Sequence, residues 1–98
     1  CGYIKNNIQK IQTIVADYYN ITTEDLKSKK RTAKVAYPRQ IAMYLSRVST
    51  DESLTRIGLE FGGKDHTTIM HAIDKISKDM KEDKNLETVI NNLKSKIG

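Results

Sequence analysis

The residues of this chain that are best able to do chemistry stand together, between a pair of glycines and an amphipathic segment. Five consecutive hydrogen-bonding side chains follow Gly62 and Gly63, namely Lys64, Asp65, His66, Thr67 and Thr68. A helix that begins here presents free backbone N–H groups and the positive end of its dipole to solvent. Both features attract phosphates, and the side chains add donors and acceptors that suit base edges. The segment therefore points to nucleic acid as the ligand.

The excess positive charge of the chain is confined to one segment. The formal net charge is +5, from 17 Lys and Arg against 12 Asp and Glu. Residues 26–50 contain no acidic side chain, and their basic ones are Lys27, Lys29, Lys30, Arg31, Lys34, Arg39 and Arg47. The local field of this segment attracts a polyanion, and nucleic acid is one candidate. A surplus of solvated lysines and an acidic membrane surface are the alternatives.

Length and composition limit the chain to a single domain, residues 1–98. A chain of this size buries one core and has no room for an independent catalytic module. No apolar run is long enough to span a bilayer. The single cysteine, Cys1, excludes an internal disulfide and fits a reducing compartment. Residues 1–5 are interpreted as a linker or cloning remnant, because the chain has no initiating Met.

Hydrophobic periodicity predicts an all-α fold. Apolar spacings of three and four predict helices over about 6–19, Pro38 to Ser49, Leu54 to Phe61, about 66–82 and about 86–97. A further helix of about two turns should follow a cap at Thr22, and Asp51 or Ser53 should cap a later one. Residues 29–37 precede a proline and lack a period, so an extended connector is predicted there, within a basic loop over 27–37.

The apolar stripes of these helices predict which side chains reach the core. Tyr18 belongs to the stripe of the first helix, and Val48 belongs to that of the helix from Pro38, which leaves Met43 toward the flanks or solvent. In the helix over about 66–82, His71 and Lys75 lie opposite the apolar stripe. The buried and free faces of that helix are therefore separate.

Two short helices that are joined by a glycine turn, with a polar tip on the second, are typical of a helix-turn-helix, here over about 54–82. The recognition helix of that motif lies in the major groove. Asp65 can accept a hydrogen bond from a cytosine amino group, and the methyl groups of Thr67 and Thr68 can contact thymine methyls. Asp65 has a second interpretation as a helix N-cap, and the two roles are compatible. An arginine on the basic arm can enter a narrow A·T-rich minor groove.

The sequence context argues against other kinds of site. The segment from Gly58 to Lys64 matches most of a phosphate-binding loop, but Asp65 occupies the magnesium-binding Ser or Thr position and no strand precedes it. His66 and His71 lie about 140° apart around a helix, so they do not converge on one metal ion. No nucleophile–base pair is present. We expect no catalytic residue, no metal and no cofactor, and therefore no enzyme.

The run from Gly62 to Ala72 resembles the signature of the C-terminal DNA-binding domain, domain IV, of the bacterial replication initiator DnaA. The segments from Ser28 to Arg31 and from Ala36 to Met43 resemble its basic loop and the helix that follows. The similarity extends from about residue 4 to residue 97. It implies a compact, Trp-repressor-like domain of about six helices that contains a helix-turn-helix. Such a domain would be monomeric and cytoplasmic, associated with the bacterial chromosome.

The resemblance also implies a target and a role for each matching residue. The target would be the DnaA box, a short A·T-rich duplex element of the TTATNCACA type at the replication origin. The residues that read bases would be Arg31 in the minor groove and, in the major groove, Thr55, Asp65, His66, Thr67 and Thr68. The residues that bind phosphates would be Lys29, Arg39, Gln40, Arg47, Leu54, Lys64 and His71. The chain departs from the family pattern at Thr55, where proline is usual, and at Lys64, where arginine is usual.

The same resemblance implies two further partners, the ATPase module of the full-length protein and acidic phospholipids. The family's ATPase module lies upstream, so we do not expect unwinding or ATP control from this piece. The amphipathic first helix resembles a region thought to meet acidic phospholipids, which would be a secondary role. The competing interpretation is an interaction module whose basic segment and first helix dock to acidic lipid or to a protein. That module would show no preference between a cognate and a scrambled duplex.

Overall fold

The computed structural model describes residues 7–27, 33–50 and 53–97. Over these ranges the chain forms six helices and no strand, which confirms the predicted fold class. The helices are α1 (Asn7–Tyr19), α2 (Thr23–Lys27), α3 (Ala33–Ser49), α4 (Leu54–Glu60), α5 (His66–Glu82) and α6 (Lys84–Ile97). None of these helices has the length and apolar character needed to cross a membrane.

Helix α3 lies at the centre of the domain and packs against each of the other five helices. The core is one cluster to which every helix contributes, with α5 packed against α3, α4 and α6. Its fully buried side chains include Ile8, Ile11, Leu26, Ile41, Leu45, Ile57, Phe61, Ile69, Ile76, Ile90 and Leu93. Burial of such aliphatic side chains is the main force that holds the helices in place. It fixes the inward face of α5 and leaves its other face available.

Side-chain caps begin two of the helices at the residues that the sequence predicts. The Thr22 hydroxyl accepts from the Asp25 backbone N–H at 3.1 Å, and the Asp25 carboxylate accepts from the Thr22 N–H at 3.4 Å. This reciprocal pair is a capping box, although α2 has 5 residues and falls short of two turns. The Ser53 hydroxyl accepts from the Arg56 N–H at 3.2 Å and caps α4.

Helix α3 begins earlier than predicted. Residues 33–37 are helical, so the extended connector is wrong over that part, and Pro38 lies inside the helix, not at its start. Residues 29–32 lie outside the described residues. The extra turn is held by tertiary contacts, because Val35 is buried and the Tyr37 hydroxyl donates to the Asp79 carboxylate at 3.2 Å. These contacts outweigh the backbone hydrogen bond that a proline removes.

Three predicted side-chain positions are wrong, for two physical reasons. Met43 is buried, because helices surround α3 on more than one side and widen its buried arc. Val48 and Tyr18 are 45% and 44% exposed, because each lies in the last turn of its helix, beyond the core. Tyr18 instead packs edge-on against Tyr19, at 4.9 Å between ring centroids, and lies under the Lys96 ammonium.

The break before the last helix is shorter than predicted. Helix α6 begins at Lys84, two residues before the predicted start. Asp83 makes the break alone: its N–H donates to the Asp79 carbonyl at 2.8 Å, and its carboxylate accepts from the Asn85 N–H at 2.9 Å. One residue therefore ends α5 and begins α6.

The turn between α4 and α5 depends on three glycines. Gly62 and Gly63 have φ of +90° and +80°, in the left-handed region, where a residue with a side chain is strained. The sequence predicts a left-handed glycine turn at this position. The Gly58 carbonyl accepts from the N–H groups of Gly63 at 3.0 Å and Lys64 at 2.9 Å. A Cβ on Gly58 would overlap the Lys64 carbonyl oxygen. The return of the chain over α4 therefore requires glycine at this position.

Replacement of Gly58 by alanine should destabilise the domain by about 1–3 kcal/mol, because the turn must move away from the added methyl group. A glycine-to-alanine change in an unobstructed helix would instead stabilise it slightly. Urea denaturation of Gly58→Ala and of a control, Leu59→Ala, measures the difference. Leu59 is 65% exposed on the same helix, so its change should stay within about 0.5 kcal/mol. A Gly58→Ala protein as stable as the unmodified chain would contradict the packing described.

Candidate nucleic-acid interface

The first turn of α5 is an exposed cluster of hydrogen-bonding groups next to the glycine turn. His66, Thr67 and Thr68 are all exposed there, as predicted. Asp65 occupies the N-cap position, but its carboxylate makes no capping hydrogen bond. The N-cap interpretation of Asp65 is therefore right for its backbone and wrong for its side chain. The tip of α5 presents this carboxylate and its first backbone N–H groups outward together.

A groove of about 680 Å³ runs beside this tip, between α3, the glycine turn and α5. It brings together four residues predicted to bind phosphates, and they are Arg39, Gln40, Lys64 and His71. Thr68, predicted to read bases, lines the same groove. Residues that are 32 positions apart in the chain, from Arg39 to His71, thus share one surface whose cations suit a phosphate backbone.

Three further predicted residues lie on the elements next to this groove. Arg47 is exposed in the last turn of α3. Leu54 is half-buried and Thr55 is exposed, and both belong to the first turn of α4, which packs against α5. Lys29 and Arg31 lie outside the described residues.

Arg39 has structural partners that the sequence does not reveal. Its Nε donates to the Leu26 carbonyl at 3.1 Å, and its Nη2 donates to the Asp25 carbonyl at 3.4 Å. Burial lowers the pKa of the Arg39 guanidinium, which nevertheless stays charged at neutral pH. Part of its donor fork is thus used to cap the C-terminus of α2. No local pattern could predict this contact, because its acceptors are backbone carbonyls on another helix.

Lys75 lines the groove as well, although neither the motif nor the family pattern assigned it a role. Its spacing from Thr68 and His71, seven and four residues, is the signal that places it on their face of α5. The Lys75 ammonium lies 3.3 Å from the Asp79 carboxylate. Positions 68, 71 and 75 therefore form a continuous polar edge along the groove.

The Asp79 carboxylate joins α5 to α3 at the end of this edge. It accepts from the Tyr37 hydroxyl at 3.2 Å and pairs with Lys75. Burial of the phenol, followed by the charge and hydrogen bond of Asp79, raises the pKa of Tyr37 to about 12. Because Tyr37 lies in the first turns of α3, this bond helps to fix one wall of the groove.

Metal binding has no support within 7–27, 33–50 and 53–97. No group of three or more His, Cys, Asp or Glu side chains in those ranges could hold a metal ion. No side-chain nitrogen or oxygen buried in those ranges is without a hydrogen-bond partner.

The fold and this arrangement of side chains define a helix-turn-helix domain with a polar helix tip beside a cationic groove. A family model described as the bacterial dnaA protein helix-turn-helix matches residues 8–76. The chain belongs to this family, as the resemblance of its motifs predicts.

A solved structure supports the assignment over nearly the whole chain. It is described as the crystal structure of a DNA replication initiation factor, and it matches with a TM-score of 0.84 and 34% sequence identity. The match covers 93% of this chain and 28% of that chain. The present domain thus spans little more than a quarter of the length of that initiation factor.

Removal of the Tyr37 hydroxyl should lower stability in a pH-dependent way. Below pH 10 the phenol is protonated in both the folded and unfolded chains, so Tyr37→Phe should cost about 0.5–1.5 kcal/mol at pH 8. Because the folded-state pKa is raised above 10.0, this advantage should shrink as the pH rises from 10 to about 12. Urea denaturation at several pH values measures it. Tyr18→Phe, at an exposed tyrosine, is the control, and a Tyr37→Phe deficit that is constant up to pH 12 would contradict the role of the bond.

Proposed function

We propose that this domain binds a specific double-stranded DNA element of the DnaA-box type at the replication origin. In this proposal the tip of α5 enters the major groove, and Arg31 of the basic segment reaches the adjacent minor groove. Membership of the family supports DNA binding in replication initiation as the general function. The observation that carries the proposal is the exposed polar tip of α5 beside a cationic groove.

Helix α5 has the geometry of a recognition helix. It has 17 residues, and its inward face is held by Ile69, Ala72 and Ile76, which are at most 4% exposed. A single α-helix fits the major groove of B-form DNA, where each base pair presents a distinct pattern of donors and acceptors. Because α4 and α3 support α5 from behind, its first turn can approach base edges without rearrangement of the core.

The side chains at the tip suit base edges of different kinds. Asp65 can accept from a cytosine amino group, and His66 can donate or accept. Thr67 and Thr68 offer methyl groups to thymine methyls, as does Thr55 at the start of α4. Since these residues are exposed in the free domain, their hydrogen-bonding groups exchange water for base contacts on binding.

The groove beside the tip would hold the phosphate backbone. Arg39, Gln40, Lys64 and His71 would bind phosphates there, and Lys75 extends the same line. Phosphate contacts fix the orientation of a protein on the duplex, whereas base contacts select the sequence. Lys64 supplies a point charge where an arginine would supply a bidentate fork, so it contributes attraction with less geometric selection.

The structure offers no comparable support for docking to acidic lipid through the first helix. Ile8, Ile11 and Val15, the apolar stripe of α1, are fully buried in the core. A helix that lies on a membrane needs such a stripe for the acyl boundary. DNA is therefore the partner that the described surfaces fit better.

Replacement of His66 by alanine should weaken binding to the cognate box by about 1–3 kcal/mol and should change binding to a scrambled duplex little, because a base contact is lost. Fluorescence anisotropy with both duplexes, at two salt concentrations, measures this. The unmodified domain should prefer the box, and its log affinity should fall with log salt at a slope of about −0.9 per phosphate neutralised.

Lys75→Ala is the matched control for that experiment, because it removes a groove cation on the same helix and leaves the tip intact. It should weaken both duplexes alike and reduce the salt slope by about one phosphate. Equal losses of His66→Ala on both duplexes would remove His66 from base reading. An unmodified domain without any preference would refute the proposed function itself.

A further inference from the structure

The exposed face of α5 has two edges that differ in their chemistry. Thr68 and Lys75 lie on the edge that lines the groove. Over the first three turns, the second edge consists of His66, Met70 and Asp74, which are spaced by four residues and are all exposed. Since each residue advances by about 100° around a helix, Met70 lies about 160° from Thr68 and about 140° from Lys75. Met70 is therefore on the side of α5 that is remote from the groove.

The second edge of α5 is poorly suited to phosphates. It carries no Lys or Arg, and the Asp74 carboxylate repels a phosphate backbone. The next basic residue in this row is Lys78, about 12 Å beyond Met70 along the helix axis. The cations that suit phosphates lie in the groove instead. Of the groups that DNA displays, base edges thus fit the second edge better than the backbone does.

The side chain of Met70 is free to make an apolar contact with a ligand. It is 48% exposed and does not belong to the core cluster, whereas the neighbouring Ile69 is fully buried. A methionine side chain is long and flexible, and its thioether is only a weak hydrogen-bond acceptor. The apolar group that base pairs display in the major groove is the C5-methyl of thymine. This methyl group is therefore the natural partner of Met70.

Met70 lies at a suitable distance from the tip of α5. It follows His66 by four residues, so it is about 6 Å farther along the helix axis. Two base-pair steps of B-form DNA, at about 3.4 Å each, span a similar length. A helix that lies along the major groove would thus place Met70 about one or two base pairs from the pair that His66 meets.

We propose that Met70 is a specificity-determining residue, which contacts the C5-methyl group of a thymine in the bound element. The inference rests on the proposed function and deepens it, because it extends base reading from the first turn of α5 to the second. In this arrangement one edge of the helix holds the phosphate backbone and the other edge reads bases.

Replacement of thymine by uracil in the DNA gives a readout that is specific for the methyl group. Deoxyuridine lacks the C5-methyl of thymidine and keeps its hydrogen-bonding groups. We replace each thymine of the box singly and measure the ratio of the two affinities by fluorescence anisotropy. For the unmodified domain, the thymine that Met70 contacts should bind about two- to fivefold more tightly than its uracil counterpart, the size expected for burial of one methyl group. Thymines that meet the threonine methyls should give further sensitive positions.

Two variants of Met70 form a matched pair for this measurement. Met70→Ala removes the contact, so the ratio should fall to about one at a single thymine while the other sensitive positions keep theirs. Met70→Leu retains a large apolar side chain and should retain the ratio at that thymine. Leu59→Ala, which truncates a 65% exposed apolar side chain on α4, should leave every ratio unchanged. Thermal unfolding confirms that each variant is folded, as expected for changes at exposed helical positions.

Unchanged ratios at every thymine in Met70→Ala would overturn the inference. So would a loss of affinity in Met70→Ala that is equal for the box, its uracil versions and a scrambled duplex, because that loss would report a contact without sequence information. In both cases the unmodified domain would still prefer the box, and the proposed function would stand. Failure of the unmodified domain to prefer the box over a scrambled duplex would instead refute the proposed function, so the two failures are distinguishable.

Discussion

The close approach of α4 and the start of α5, at Gly58 and Lys64, is the constraint on which the candidate site depends. The Gly58 carbonyl accepts two backbone N–H groups from the turn, and the absent side chain lets the Lys64 carbonyl come into contact. Two residues with positive φ, Gly62 and Gly63, complete the reversal of the chain. With this turn in place, burial of Ile69 beneath it fixes the rotation of α5 about its axis. Its polar tip then has one direction in which to point.

Under the proposed function, charge and shape would have separate tasks on this surface. The cations of the groove would supply attraction that is independent of sequence and that weakens with salt. The tip of α5 carries an acid, an imidazole and two hydroxyls, whose hydrogen-bonding directions would restrict which base edges fit. Asp65 illustrates the difference, since a carboxylate reduces attraction to DNA in general. In the proposed complex such a group would favour binding only where it meets a particular donor.

The sequence predicts those parts of the molecule whose causes are local. The bounds of α5, the caps at Thr22 and Ser53 and the glycine turn all follow from residue types and spacing over a few positions. The helical start of α3 could not be predicted in this way. It depends on the burial of Val35 and on the bond of Tyr37 to Asp79, which lies 42 residues away, and these contacts together outweigh the bias before a proline.

In the candidate site, too, only the features with local causes could be predicted from the sequence. The exposed tip of α5 and the face that carries His71 and Lys75 follow from helical periodicity. The contact of Arg39 with α2 does not, because a backbone carbonyl has no signature in the sequence. The burial of Met43 could not be predicted either, because the sequence of a single helix does not reveal how many helices surround it.

Nuclear magnetic resonance of the isotope-labelled domain, titrated with a cognate duplex, tests most directly whether this surface binds DNA. The account predicts that amide shift changes concentrate in residues 62–71 and on the groove face of α3, around Arg39 and Gln40. Amides of α6, Lys84–Ile97, should change little. Shift changes concentrated on α1 and α6, with the tip of α5 unaffected, would contradict it.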